Sequence, residues 1–179
     1  MNYLDALDYG IKQLKSHNIK SYNLDTELLL SKVLNSTREN LLLNLSLEIK
    51  KKKFNKFKKL LSRRKKNEPI AYIFNKKEFW KYSFRVNKEV LVPRPESEII
   101  VDKVLKLTSY KSSKYILDVG TGSGCVLLSI IKERPNFYGT AIDISKKALK
   151  VAISNAKMHH LQNKIEFINI DIDKFKYNK

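Results

Sequence analysis

The stretch YILDVGTGSGCVLLSIIKERPNFYGTAIDISKKALKVAISNAKMHHLQNKIEFINI, residues 115 to 170, decides the fold. Tyr115 to Val119 is a short apolar run bounded by a glycine cluster, and Tyr138 to Asp143 and Ile165 to Ile170 repeat that character, so the three read as strands. Between them, Cys125 to Glu133 and Lys146 to Lys157 place apolar residues at three- and four-residue steps, which is one face of an α-helix. Strand, helix, strand, helix, strand predicts an α/β fold with a parallel, doubly wound sheet and right-handed crossovers.

Three of the five glycines in the chain lie at 120, 122 and 124, inside Asp118-Val119-Gly120-Thr121-Gly122-Ser123-Gly124. Between a strand and a helix, glycines let the backbone turn sharply and approach a ligand that side chains would keep away. A phosphate-binding Walker loop would end in Gly-Lys-Ser/Thr, and a dinucleotide fingerprint would place its third glycine where Cys125 stands. An alternating G-x-G-x-G preceded by an acid instead suits S-adenosyl-L-methionine, with Gly120, Thr121, Gly122, Ser123 and Gly124 forming the loop. Asp118 is placed to orient that loop or to meet the ligand's ammonium through water. Asp143, at the end of the second strand, is placed to accept both ribose hydroxyls. Asp171 is placed to receive the adenine amino group, with Ile172 packing on the base. The alternative for each acid is a helix N-cap or a turn, a serious competitor at Asp143, which Ser145 follows, and as strong as the ligand role at Asp171.

Upstream, Leu4, Leu7, Ile11 and Leu14 form one helical stripe. Leu24, Leu28, Leu29, Val33 and Leu34 form a second, and Thr37 to Leu43 a short third piece. Phe54, Phe57, Leu60 and Leu61 give the fourth helix an apolar seam, and Pro69 marks the exit from a helical bundle. Tyr82, Phe84 and Val86 alternate with polar residues and Val90 to Val92 follow Asn87-Lys88, which predicts a hairpin between those two runs. From Glu96 a helix resumes. The expected boundaries are a helical domain at 1–67, a hairpin connector at 68–95 and the α/β domain at 96–179.

The net charge is +18, and residues 50 to 66 alone hold eleven Lys or Arg and no acid. Thirty lysines stand against six arginines, beside fifteen asparagines and seventeen isoleucines, so an A- and T-rich coding bias explains much of the background. No run reaches the length of a bilayer span and the first ten residues lack a basic leader, so a cytoplasmic protein with no membrane contact is expected. One cysteine and three histidines give no disulfide framework and no metal cluster. Cys125, His159, His160, Phe79 and Trp80 read as packing or solvated residues.

At Asn67 to Glu98 the sequence NEPIAYIFNKKEFWKYSFRVNKEVLVPRPESE resembles the HemK/PrmC family of protein glutamine-N5 methyltransferases, which modify class I release factors. Leu24-Asp25-Thr26-Glu27-Leu28-Leu29-Leu30, the ILDVGTGSG loop at 116–124, Ala141-Ile142-Asp143-Ile144 and Asn155-Ala156 are similar to the same family. The resemblance implies an N-terminal domain that docks the release factor, a hairpin connector and a Rossmann-type methyltransferase domain that binds S-adenosyl-L-methionine. It places Gly120 to Gly124 and Asp143 on the cofactor, Ile172 against the adenine, and Arg94 and Glu96 at the border of the site. Asn67 and Asn75 stand where the family usually has glycine, and Asn is the side chain that best tolerates left-handed backbone.

The family holds its substrate glutamine with an Asn-Pro-Pro-Tyr motif that residues 1–179 do not contain. An amide nitrogen is a poor nucleophile because its lone pair is delocalised into the carbonyl, so its positioning is the catalysis. The expectation is the N-terminal part of such an enzyme, with no catalytic residue of its own, inactive alone and left with an unpaired edge on its first strand. Two other readings are a non-catalytic basic module for RNA or protein, and a fragment that methylates amino groups on nucleic acid. The second is disfavoured by the release-factor-like N-terminal region.

Overall fold

The computed structural model describes residues 1 to 176, which divide into two compact units, Met1 to Ile73 and Phe74 onward. The first is helical: α1 (Tyr3–Lys15), α2 (Tyr22–Leu34), α3 (Arg38–Leu43), α4 (Lys51–Lys65) and the start of α5 (Ile70–Phe74). Asn2 and Asp5 close α1 with a reciprocal capping box, and Thr37 caps α3 through Asn40 N–H. The predicted stripes bury Leu7, Leu14, Leu29, Leu34, Phe57 and Leu61, whereas Leu4 and Leu24 are exposed and Leu30, outside the predicted stripe, takes a core place. Gly10 lets α1 approach this core closely, since a Cβ there would stand 2.5 Å from Thr26 Cγ2 and 2.8 Å from Phe57 Cζ. Asp25 is buried because it is paired, accepting from Arg64 Nε at 2.7 Å and from the Ser21 hydroxyl at 2.7 Å.

The second unit opens with a hairpin, β1 (Lys77–Phe79) and β2 (Tyr82–Phe84), and continues through a 3-10 turn at Pro95–Ser97 into α6 (Glu98–Leu107). Then come β3 (Tyr115–Val119), α7 (Cys125–Glu133), β4 (Tyr138–Asp143), α8 (Lys146–Met158) and β5 (Ile165–Asn169). The sheet order is β3-β4-β5, all parallel. This is the α/β architecture of the sequence reading, a helical region followed by a Rossmann-type parallel sheet with elements within a residue or two of the predicted spans, but among the described residues α7 and α8 both pack on one face, so the expected double winding is not seen.

The hairpin differs from its prediction. The strands pair as Lys77 with Phe84, Glu78 with Ser83 and Phe79 with Tyr82, through a turn at Trp80-Lys81. The run 90–92 forms no strand. Alternation was real, for Phe84 and Val86 are buried, but the ladder stops at Phe84 because Asn155 takes both backbone groups of Arg85. Trp80 turns at φ 56° without glycine, its N–H held by Glu98 at 2.9 Å. Asn67 and Asn75 adopt φ of 61° and 52°, the left-handed geometry their residue type suggested.

The sheet is covered unequally. Ile116, Ala141, Ile165 and Phe167 point to one face and pack with Leu127, Leu128 and Ala156 of α7 and α8. On the other face Tyr115, Leu117, Val119 and Tyr138 are exposed, and among the described residues β3 has no partner on its outer edge.

Candidate functional site

The loop between β3 and α7 turns on Gly120 and Gly122, at φ 72° and 55°. A Cβ on Gly120 would meet no atom within 4 Å, so glycine is required there by the backbone angle and the space above it stays open. Gly124 precedes α7 in the same left-handed region. The loop is fastened from three sides. Gly120 N–H and Thr121 N–H donate to Ile142 O, at 2.9 and 3.1 Å. Gly122 N–H donates to Asp143 Oδ2 at 2.9 Å, and Ser145 N–H donates to the other carboxylate oxygen at 2.8 Å. Asn155, fully buried on α8, donates to Ser123 O at 2.8 Å.

Two hollows meet at this loop. One, of about 390 Å³, is lined by Gly120 to Ser123, Cys125, Asp143, Arg94 and Ser97. The other, of about 200 Å³, is lined by Val119, Ile142, Ile144, Ile170, Asp171 and Ile172, and shares Gly120 and Asp143 with the first. Asp118 sits beneath the loop, accepting from the Thr121 hydroxyl at 2.7 Å. Burial raises its pKa above the ordinary 3.8, and the nearby Asp143 carboxylate adds to the effect. Two carboxylates around one loop oppose a pyrophosphate and favour a ligand with positive charge. Asp143 uses one lone-pair direction on each oxygen and keeps capacity for hydroxyl donors. The smaller hollow, walled by Val119, Ile144 and Ile172, suits a flat apolar ring.

The structure thus brings Gly120 to Ser123, Asp143, Asp171 and Ile172 to two adjoining hollows, with Asp118 and Gly124 supporting the loop. Arg94 lines the larger hollow and Glu96 does not. Asp171 also serves the turn that follows it, accepting from Asp173 N–H at 3.1 Å. Cys125 is buried, which pushes its thiol up to about 11, well away from thiolate chemistry. His159 is a correction: it is half-buried, not solvated, with Nε2 2.9 Å from Ser83 O and its ring 4.9 Å from that of Phe84. Burial and then Lys132 lower its pKa.

Sequence reasoning missed two fastening residues. Asn155 accepts from Arg85 N–H at 2.7 Å and donates to Arg85 O at 2.9 Å as well as to Ser123 O, so one amide ties the segment after the hairpin to the glycine loop. Its signal was present: it falls on the inward stripe Val151, Ala152, Asn155, Ala156, where a polar side chain must be hydrogen-bonded. Glu133 accepts from Trp80 Nε1 at 3.1 Å and the Tyr82 hydroxyl at 2.9 Å and pairs with Lys81 at 3.1 Å. Its pKa lies below the ordinary range: burial alone would raise it, but those three donors together outweigh burial. Among the described residues no group of three His, Cys, Asp or Glu is placed to hold a metal, and no helix is long and apolar enough to cross a membrane.

Residues 5–74 match the PrmC N-terminal domain and residues 110–179 match a methyltransferase domain. The helical region thus belongs with the PrmC N-terminal domain. The release factor glutamine methyltransferase of Coxiella burnetii is 42% identical over 144 residues, covering 80% of this chain and 52% of that protein. A bifunctional methyltransferase of Rickettsia felis is 35% identical over 198 residues, 91% of this chain and 38% of that protein. The chain therefore spans about half, or less, of the length of these relatives. Among solved structures, a SAM-dependent methyltransferase from Geobacter sulfurreducens in complex with S-adenosyl-L-homocysteine is 25% identical with a TM-score of 0.40, covering 48% of this chain and 32% of that one.

Proposed function

We propose that this chain forms the cofactor-binding and substrate-docking part of a glutamine-N5 methyltransferase acting on class I peptide chain release factors, with S-adenosyl-L-methionine as methyl donor. The observation that carries this reading is the charge and shape of the paired hollows: Asp118 and Asp143 around a glycine loop, with an apolar slot beside them. When bound, the donor would supply an electrophilic methyl, its C–S bond breaking as the C–N bond forms, to leave a neutral thioether and release the nitrogen's proton to solvent. Asp143 receives ribose hydroxyls, while Gly120 to Gly124 leave room for the amino-acid end. Asp118, which lines neither hollow, orients the loop through Thr121 and meets the ammonium through water. Ile172 packs on the adenine and Asp171 receives its amino group.

In this reading residues 1–67 dock the release factor, 68–95 connect, and 96–179 bind the cofactor, in the cytoplasmic setting that such a substrate requires. Nothing in residues 1–179 supplies the Asn-Pro-Pro-Tyr grip on the acceptor amide, so this chain by itself binds donor and does not transfer. Calorimetric titration of the purified chain with S-adenosyl-L-homocysteine is the test. Binding is expected, and Asp143→Ala should weaken it at least about tenfold, the scale of losing one to two charge-assisted hydrogen bonds. A folded chain that binds no cofactor would refute the cofactor site. Rapid methylation of a release factor by the chain alone would refute the requirement for the missing motif.

A further inference from the structure

Helix α4 breaks a local rule of helix electrostatics, and of its first-turn lysines Lys53 alone finds a compensating acceptor among the described residues, donating to Leu34 O at 3.1 Å. Its N-cap is Lys50, with no side-chain capping bond, and its first turn is Lys51, Lys52 and Lys53 with no acid. The helix dipole favours acids at that end and opposes cations. Further along, Lys52 with Lys56, Lys53 with Lys56, and Lys56 with Lys59 are like-charged neighbours at helical spacing, which is repulsive. The acids of the helical unit do not relieve them. Its ion pairs are made by Arg38, Arg63 and Arg64, whereas Lys50, Lys51, Lys52, Lys56, Lys59 and Lys66 take none among the described residues. A coding bias accounts for lysine in place of arginine, but not for the absence of a single acid from 50 to 66.

We propose that the outer face of α4, centred on Lys52, Lys56 and Lys59, is a docking surface for the phosphate backbone of a nucleic acid. The helix is about 22 Å long, and Lys52, Lys56 and Lys59 share one face of it at steps of about 6 and about 4.5 Å along the axis, so each can meet a separate phosphate of a strand whose charges repeat at about 3.4 Å. A protein partner would need an apolar anchor in the middle of the patch. Here Phe57 and Leu61 are buried and the exposed positions are lysine, asparagine and serine. The two arginines are committed to Glu68 and Asp25, so no guanidinium fork remains to read bases. Binding is therefore indifferent to sequence and governed by counterion release. This surface is independent of the methyl-donor site.

Fluorescence anisotropy of the whole chain with a labelled mixed-sequence single-stranded RNA tests the proposal. Affinity should fall on the order of a hundredfold between about 50 and about 200 mM salt, with a logarithmic slope near −3 to −4. The triple variant Lys52→Gln, Lys56→Gln, Lys59→Gln should remove about 2 from that slope, at roughly 0.7 per charge. A control that loses the same charge from the other unit, Lys103→Gln, Lys111→Gln, Lys114→Gln, should leave it unchanged. Circular dichroism verifies that both variants fold, as exposed lysines predict. Equal losses in both variants would reduce the effect to net charge and overturn the proposal. So would the absence of salt-dependent binding, or tight binding to polyglutamate or anionic vesicles without binding to RNA.

Discussion

The helical unit and the sheet unit tie down their polar side chains by different means. In the first, isolated pairs carry the load: Asp25 with Arg64, Glu27 with Arg38, Glu68 with Arg63. In the second, single residues act as hubs, with Asn155 holding three backbone groups and Glu133 three donors. The helical unit surrounds its core with helices, while the sheet exposes Tyr115, Leu117 and Val119 of β3 on the face away from α7 and α8. The difference teaches where function is built. Pairs stabilise elements that already form from their own periodicity, whereas hubs fix loops that have no periodicity and must nevertheless hold a ligand in register.

The largest effect that separates the units is expected from Phe57→Ala. Its ring is fully buried in the helical core, so thermal unfolding followed by far-UV circular dichroism should show a loss of about 3–5 kcal/mol. Cofactor affinity should be untouched, since every residue lining the hollows lies in the other unit; a parallel loss of affinity would break the separation. Next comes Gly10→Ala, where the new methyl must displace Thr26 and Phe57, at a cost of about 1–3 kcal/mol. Chemical denaturation checks this, and an unchanged midpoint would mean that the α1 contact is looser than described.

In the sheet unit, Asp118→Asn should act in opposite directions on two measurements. The native pKa of Asp118 is raised, so its contribution to stability is fully present below the ordinary value of 3.8 and is lost as pH rises through the native value. At neutral pH the wild-type chain carries the penalty of a buried charge. The asparagine removes that penalty and still accepts from Thr121, so melting temperature should rise at pH 7 and converge with wild type in acid. Cofactor affinity should fall. The smallest effect is expected from Leu117→Lys on the bare face of β3, within about 0.5 kcal/mol in this chain, with reduced self-association by light scattering. Ile116→Lys, one residue away on the covered face, supplies the contrast, and equal costs for the two would show that the face is not bare.

Much of the site was legible because its residue types have few other reasons to occur together. Three glycines in five positions, with acids at the carboxyl ends of parallel strands, placed the loop between β3 and α7. The spans of α7 and α8 followed from apolar period, since each buries one stripe, and those of β3 and β4 from short apolar runs. What escaped were relations between distant positions. His159 looked solvated because a loop histidine carries no period, and it is half-buried only because the hairpin folds back over it at Ser83 and Phe84.

By itself, then, the sequence determined the helical stripes of the first unit, the strand-helix alternation of the second, and the glycine loop between two carboxylates. These depend on periodicity and on backbone angles that only certain residues accept, both of which are local. Only the tertiary structure decided which strands pair in the hairpin. Tyr82 to Val86 alternates all the way, yet pairing ends at Phe84, because Asn155, seventy residues on, takes the N–H and C=O of Arg85 and holds Ser123 with the same amide. A buried amide must satisfy its own hydrogen bonds, and where its partners lie is a property of the packed chain.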